Sequence, residues 1–196
     1  MNGKVLLIIG DGAEATDTLY PYFRVQEDGY EAVVAAPEKR VYHLVIHDLK
    51  PGWDITVESM GYLFESDVAF REVNPEEFLG LIIPGGRAPE YLRYDGDLMR
   101  IVRHFFETNK PVGCVCHGIE IVAAAGVIKG RKVTTVPKCR YDAEFSGATY
   151  VDEPVVVDGN VITSQAPGTA IQFALKIIET LIGPDVANKV KREIVA

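Results

Sequence analysis

Blocks of apolar residues alternate with polar, helix-patterned stretches along most of the chain. Val5 to Ile9 is a continuous apolar run closed by Gly10-Asp11-Gly12, the pattern of a strand buried on both faces. From Thr16 to about Asp28 the apolar residues Leu19, Phe23 and Val25 recur at near-helical spacing, and Gly29 follows as a C-cap. Glu31 to Ala36 reads as a second strand, stopped by Pro37. Strand, helix, strand over so short a stretch predicts a βαβ unit, hence a parallel sheet with a right-handed crossover. Residues 39–72 are less regular. Asp48 to Asp54 is turn-rich, and Ile55 to Val57 and Tyr62 to Phe64 read as short strands joined near Met60-Gly61. This stretch is expected to be an antiparallel hairpin at the sheet edge.

The alternation then resumes. Asn74-Pro75-Glu76-Glu77 resembles a helix start, and Leu79 to Ile83 is a buried strand ended by Pro84-Gly85-Gly86. A helix is predicted from about Gly96 to Asn109, with Leu98, Ile101, Val102, Phe105 and Phe106 on its apolar side. Pro111 to Val115 is another strand and Gly118 to Ala125 another helix. Lys132 to Thr135, Thr149 to Val151 and Val155 to Thr163 supply the remaining strand material. Pro167 to Leu181 is an amphipathic helix, and a short one follows Pro184. No linker, repeat or biased tract interrupts the pattern. Residues 1–196 therefore read as one α/β domain of three layers, α/β/α, with a mainly parallel central sheet. In such sheets ligands bind beyond the carboxyl ends of the strands. Three loops qualify: Gly10 to Glu14, Pro84 to Glu90, and Val115 to Gly118.

Charge narrows the function classes. The 20 Lys and Arg against 28 Asp and Glu give a net charge of −8. A chain this acidic is a poor phosphate-backbone binder, and it has no basic amphipathic stretch for a membrane surface. Neither nucleic acid nor membrane is expected as a partner. Three cysteines, Cys114, Cys116 and Cys139, are too few and too unevenly placed for a disulfide framework. The first apolar run is too short for a signal-peptide core or a membrane span. The expected compartment is the reducing cytoplasm.

Cys114-Val115-Cys116-His117-Gly118 is the most informative segment. A Cys between a strand and a helix sits in a tight turn, the geometry of a nucleophile elbow. Backbone N–H groups at a helix start stabilise thiolate, which predicts a lowered Cys116 pKa, and the N–H groups of Gly86, His117 and Gly118 are candidates for holding an oxyanion. Cys114, two residues back in the strand, is expected only to pack, and Cys139 reads as part of a polar loop without a partner. His43 and His47 read as solvated loop residues. Gly10-Asp11-Gly12-Ala13-Glu14-Ala15 satisfies G-x-G-x-x-A, but Asp11, Glu14 and Asp17 crowd the place where a pyrophosphate would sit. Glu14 itself is the better candidate, placed at the end of the first strand to hydrogen-bond the Cys116 sulfur. No metal-ligand spacing stands out, and no cofactor is expected.

Several segments, taken in order, resemble the ThiJ/PfpI (DJ-one) superfamily over nearly the whole chain. They are Ala13-Glu14 with Leu19-Tyr20-Pro21, Pro84-Gly85-Gly86-Arg87-Ala88-Pro89-Glu90, Cys116-His117-Gly118, and the run from Ala123 to Lys132. Val156 to Ser164 fits the late strand pair of that superfamily. Ile46-His47-Asp48 is closer to its glyoxalase III-type branch than to its protease-like branch. The resemblance implies a flavodoxin-like sandwich, a nucleophilic role for Cys116, an acid–base role for Glu14 and a supporting role for His117. In protease-like members a glutamate reaches across a subunit interface to orient that histidine; the matching residue is Glu90. Two departures stand out. Cys114 replaces a small residue, and Gln165 to Gly168 lacks a late histidine. Class I glutamine amidotransferases share the elbow but need a histidine after the nucleophile's neighbour, and none follows His117.

The expected function is a glutathione-independent glyoxalase or deglycase acting on small 2-oxoaldehydes such as methylglyoxal. The expected partners are an aldehyde substrate and further copies of the chain. The alternatives are a cysteine peptidase using Cys116, His117 and the Glu90 of another subunit, and a non-enzymatic redox sensor or chaperone oxidised at Cys116.

Overall fold

The computed structural model describes residues 2–196, all but Leu49 with their side chains. In chain order the elements are β1 (Lys4–Ile8), α1 (Ala15–Glu27), β2 (Glu31–Ala36), β3 (Val41–Leu49), β4 (Thr56–Glu65), β5 (Val68–Ala69), β6 (Phe78–Ile83), α2 (Ala88–Leu92) and α3 (Gly96–Glu107). They continue with β7 (Val112–Val115), α4 (Ile119–Ala124), β8 (Lys132–Val133), α5 (Arg140–Phe145), β9 (Thr149–Tyr150), β10 (Val155–Asp158), β11 (Val161–Ser164), α6 (Ala170–Ile182) and α7 (Pro184–Glu193).

The central sheet runs β10-β11-β7-β6-β1-β2-β5, and every pairing in it is parallel except β10 with β11. Alternating side chains of β1 feed two separate cores. Leu6 and Ile8 join Leu98, Val102 and Phe105 of α3 on one face, while Val5 and Leu7 join Val25 of α1 and Phe173 and Ile177 of α6 on the other. This two-sided burial is why the first strand is apolar without alternation. At about 1.5–3 kcal/mol for each fully buried aliphatic side chain, the run Leu6 to Ile9 is held at the centre of the sheet.

Four local departures from the sequence pattern have identifiable causes. The hairpin β3–β4 turns within residues 50–55, and Met60-Gly61 lies inside β4, opposite a register shift between His43 and Val45. Gly61 is there for close approach, since a Cβ would stand 2.8 Å from the Leu44 carbonyl oxygen. The hairpin is also not an edge extension of the main sheet. It hangs on the loop after β1, where Val45 N–H donates to Ala13 O at 2.9 Å and Gly12 N–H to His43 O at 2.8 Å. Residues 75–77 form only a 3-10 turn before β6. Helices α2 and α5 lie in segments read as loops; α5 buries Ala143 alone, so its sequence carries almost no periodic signal.

Candidate active site

The site is built where β7 stops. Val115 is extended at φ −127°, and Cys116 then turns to φ 55°, a left-handed conformation rare for a residue with a Cβ. Such a conformation costs about 1–3 kcal/mol and persists only where its surroundings hold it. Three neighbours do so. A Cβ on Gly118 would stand 2.6 Å from the Ile83 carbonyl oxygen, so only glycine lets the turn close on the end of β6. A Cβ on Gly85 would stand 2.5 Å from the Cys116 Cβ, so the loop after β6 also requires glycine here. The buried Thr135 hydroxyl donates to the Cys116 carbonyl at 2.7 Å and fixes the turn from behind.

Cys116 is 6% exposed. Its sulfur lies 3.3 Å from His117 Nδ1, and the backbone N–H groups of Gly86 and His117 point at it. Those amides favour thiolate, as the sequence implies. They are outweighed: burial first, then the carboxyl of Asp17 and more weakly that of Glu14, push the thiol above its ordinary value. The lowering expected from the helix start alone is therefore corrected. The sequence shows the turn and sets Glu14 near it, but not Asp17. Burial also holds His117 below the usual histidine range, reinforced by His47 and Lys138, so its ring is a neutral proton acceptor at neutral pH.

Glu14 caps α1, its Oε2 accepting the Asp17 N–H at 2.7 Å. No hydrogen bond joins it to the Cys116 sulfur among the described residues; it acts on the thiol through space. It is 2% exposed, and burial raises its pKa. Asp17, one turn on, was not singled out by the sequence as a site residue. It is 1% exposed, neither carboxylate oxygen makes a hydrogen bond, and burial followed by the Glu14 charge holds it well above the ordinary aspartate range. It stands beside Gly85, the glycine that touches Cys116, and weighs more heavily on the thiol than Glu14 does. Its signal in the sequence was the spacing: a residue three after Glu14 on a helix returns to the same face.

The remaining candidates are spread unevenly. The Gly86 and His117 amides face the sulfur, whereas Gly118 serves the turn through its missing side chain. Glu90 is held by its neighbour Arg87 through two bonds of 3.1 Å, which lower its pKa, and it lies within electrostatic reach of His117 of its own chain. His43 is exposed beside Asp11, but His47 departs from the solvated reading. Its side chain is 14% exposed, pairs with Glu58 at 3.4 Å and acts on both Glu14 and His117, because the hairpin folds over the site. Cys114 is fully buried in β7. Cys139 is not in a partnerless loop. It is 3% exposed, and its thiol donates to Glu120 Oε1 at 3.6 Å.

Comparison with known proteins agrees with this geometry. The DJ-1/PfpI family model matches residues 3–180. Deglycase TK1284 of Thermococcus kodakarensis is 38% identical over 178 residues, covering 91% of this chain and 99% of that protein. Protein/nucleic acid deglycase 2 of Escherichia coli is 33% identical over 182 residues, covering 92% of this chain and 99% of that protein. The crystal structure of Drosophila melanogaster DJ-1beta superposes with a TM-score of 0.84 at 24% identity, covering 100% of this chain and 99% of that one, a likeness of fold. No helix among the described residues is long and apolar enough to cross a membrane. A mostly parallel sheet between helical layers, a strained cysteine at its carboxyl end and a family match over most of the length lead to one assignment: the chain belongs to the DJ-1/PfpI family.

Proposed function

We propose that the protein is a cofactor-independent deglycase or glyoxalase-type enzyme that converts small 2-oxoaldehydes to 2-hydroxy acids at Cys116. The observation that supports this most is the enclosed thiol, 6% exposed, with a neutral histidine on one side and buried carboxyls on the other. A thiol so enclosed favours a small carbonyl compound over an extended peptide.

With methylglyoxal the Cys116 sulfur bonds to the aldehyde carbon, and the thiol proton passes by way of His117 to the aldehyde oxygen, giving a hemithioacetal. The Gly86 and His117 amides hold the oxygen while it carries charge. Glu14 removes the hydrogen from the former aldehyde carbon and returns a proton to the neighbouring carbon, while the hydroxyl proton passes from the first oxygen to the second, leaving a 2-hydroxy thioester. Water cleaves the thioester to lactate and restores the thiol. The Asp17 carboxyl opposes departure of the proton from sulfur, which is why His117 is needed to take it.

A cysteine peptidase is the second reading, favoured by the 3.3 Å contact between Cys116 and His117. It needs the Glu90 of a second copy. Self-association is itself part of the proposal, supported by the exposed apolar residues Met60, Tyr62 and Leu63 on the hairpin beside the site. The deciding experiment follows lactate formation from methylglyoxal without glutathione, beside peptide hydrolysis by the same preparation. Lactate without peptide cleavage supports the first reading, and peptide cleavage without lactate replaces it with the second.

A further inference from the structure

We infer that His117, Glu120 and Cys139 form a binding site for a divalent transition metal ion of the Zn2+ type, beside Cys116 and sharing its histidine. A ring nitrogen of His117, a carboxylate oxygen of Glu120 and the Cys139 sulfur all lie within 4.8 Å of one another. Bond lengths of about 2.0–2.3 Å in a tetrahedral zinc site place neighbouring donor atoms about 3.3–3.6 Å apart, so side-chain adjustments alone close this triangle. Nitrogen, oxygen and sulfur donors together suit a borderline-soft ion, and three protein ligands leave a fourth position open.

The fold brings the three together from separate places. His117 is in the turn after β7, Glu120 faces the same side from the start of α4, and Cys139 ends the 3-10 turn before α5. The partners of Glu120 show how its carboxylate is placed. Glu120 is 8% exposed and its Oε2 makes no hydrogen bond; its counter-charge is Arg93 Nη1 at 3.3 Å. That pairing leaves Oε1 directed at the Cys139 thiol, a contact of 3.6 Å that an S–H fills only weakly. A metal ion replaces that proton: the S–H bond breaks, a metal–sulfur bond forms, and one proton leaves to solvent. A surface cleft of about 310 Å³, bordered by Arg93, Glu120 and Asp142, lies on the Glu120 side of the three.

The site stands apart from the reaction proposed above, because metal binding is read without turnover. Its consequence joins the two. An ion held by His117 occupies the one lone pair of the neutral ring, so the ring no longer takes the Cys116 proton and Zn2+ inhibits whatever chemistry Cys116 performs.

The test titrates the reduced full chain with Co2+ and then Zn2+, reading the thiolate-to-cobalt charge-transfer band. The expected result is one ion per chain, a band retained in Cys116→Ser and lost in Cys139→Ser. Loss of an outer-shell partner already weakens a metal site about 10- to 100-fold, so Glu120→Gln and Cys139→Ser are expected to weaken Zn2+ binding by about 100-fold or more. Alkylation mapping in the Cys116→Ser chain, with and without Zn2+, needs no change at Cys139 and is expected to show Cys139 protected by the metal. Absence of the band in the unmodified chain, its loss in Cys116→Ser, or alkylation of Cys139 unaffected by Zn2+ overturns the site.

Discussion

Cys114 and Cys116 are two residues apart, one inside β7 and one just past its end, both buried, and chemically different. Cys114 is paired in β7 with Thr163 and Ile83, and burial alone is the leading cause that pushes its thiol up. Cys116 is one residue past the last strand position. There the chain turns to φ 55°, two backbone amides face the sulfur, and a histidine stands 3.3 Å away. Burial does not separate the two. What separates them is that the strand ends between them, so that the second thiol meets the groups gathered at the carboxyl edge of the sheet.

The sharpest way to break this contrast is to remove each sulfur in turn. Cys116→Ser is expected to lower turnover of methylglyoxal by roughly three orders of magnitude or more, as loss of a nucleophile does, while Cys114→Ala stays near the unmodified rate. Equal losses in both would show that burial, not position, governs the chemistry. Glu14→Gln keeps the helix cap and the size but cannot carry a proton, so its rate is expected to fall roughly 10²- to 10⁴-fold. A rate near the unmodified one would leave Glu14 as a cap only.

Asp17→Asn sharpens the comparison from the other side. Its charge is one of the causes that raise Cys116, so the pH midpoint of Cys116 alkylation is expected to move down in the variant and the midpoint of Cys114 to move less. Stability gives the sign independently. A carboxyl whose folded pKa is raised binds more protons folded than unfolded, so its contribution is lost as pH rises above the ordinary aspartate value of 3.8 toward the folded value. Asp17→Asn is thus expected to flatten the decline of Tm with rising pH over that window, and an unchanged slope would place Asp17 outside the buried cluster. The smallest effect is at Thr135. Removing its hydroxyl leaves the Cys116 carbonyl without its partner, and Thr135→Val is expected to cost about 1–3 kcal/mol in denaturant unfolding. No change would mean that the turn holds without it.

Much of this was legible in the order of residues. Apolar runs bounded by glycine and proline marked the strands, and Cys116-His117-Gly118 between a strand and a helix marked the elbow. These are local signals, set by side-chain period and by the conformations that glycine permits, and they survive without knowledge of distant contacts. The sequence by itself thereby determined the alternating framework, the cysteine of the elbow and the loops that surround it. It could not show that Asp17 stands against Gly85 and Cys116, that His47 folds down from a hairpin hung on the loop after β1, or that Cys139 meets Glu120. Those contacts join residues far apart in the chain, and apart from the three-residue spacing of Glu14 and Asp17 they leave no repeat or spacing to read. Only the tertiary structure decided the electrostatics of the site, because the state of a buried thiol depends on which charges the fold brings within a few ångströms of it.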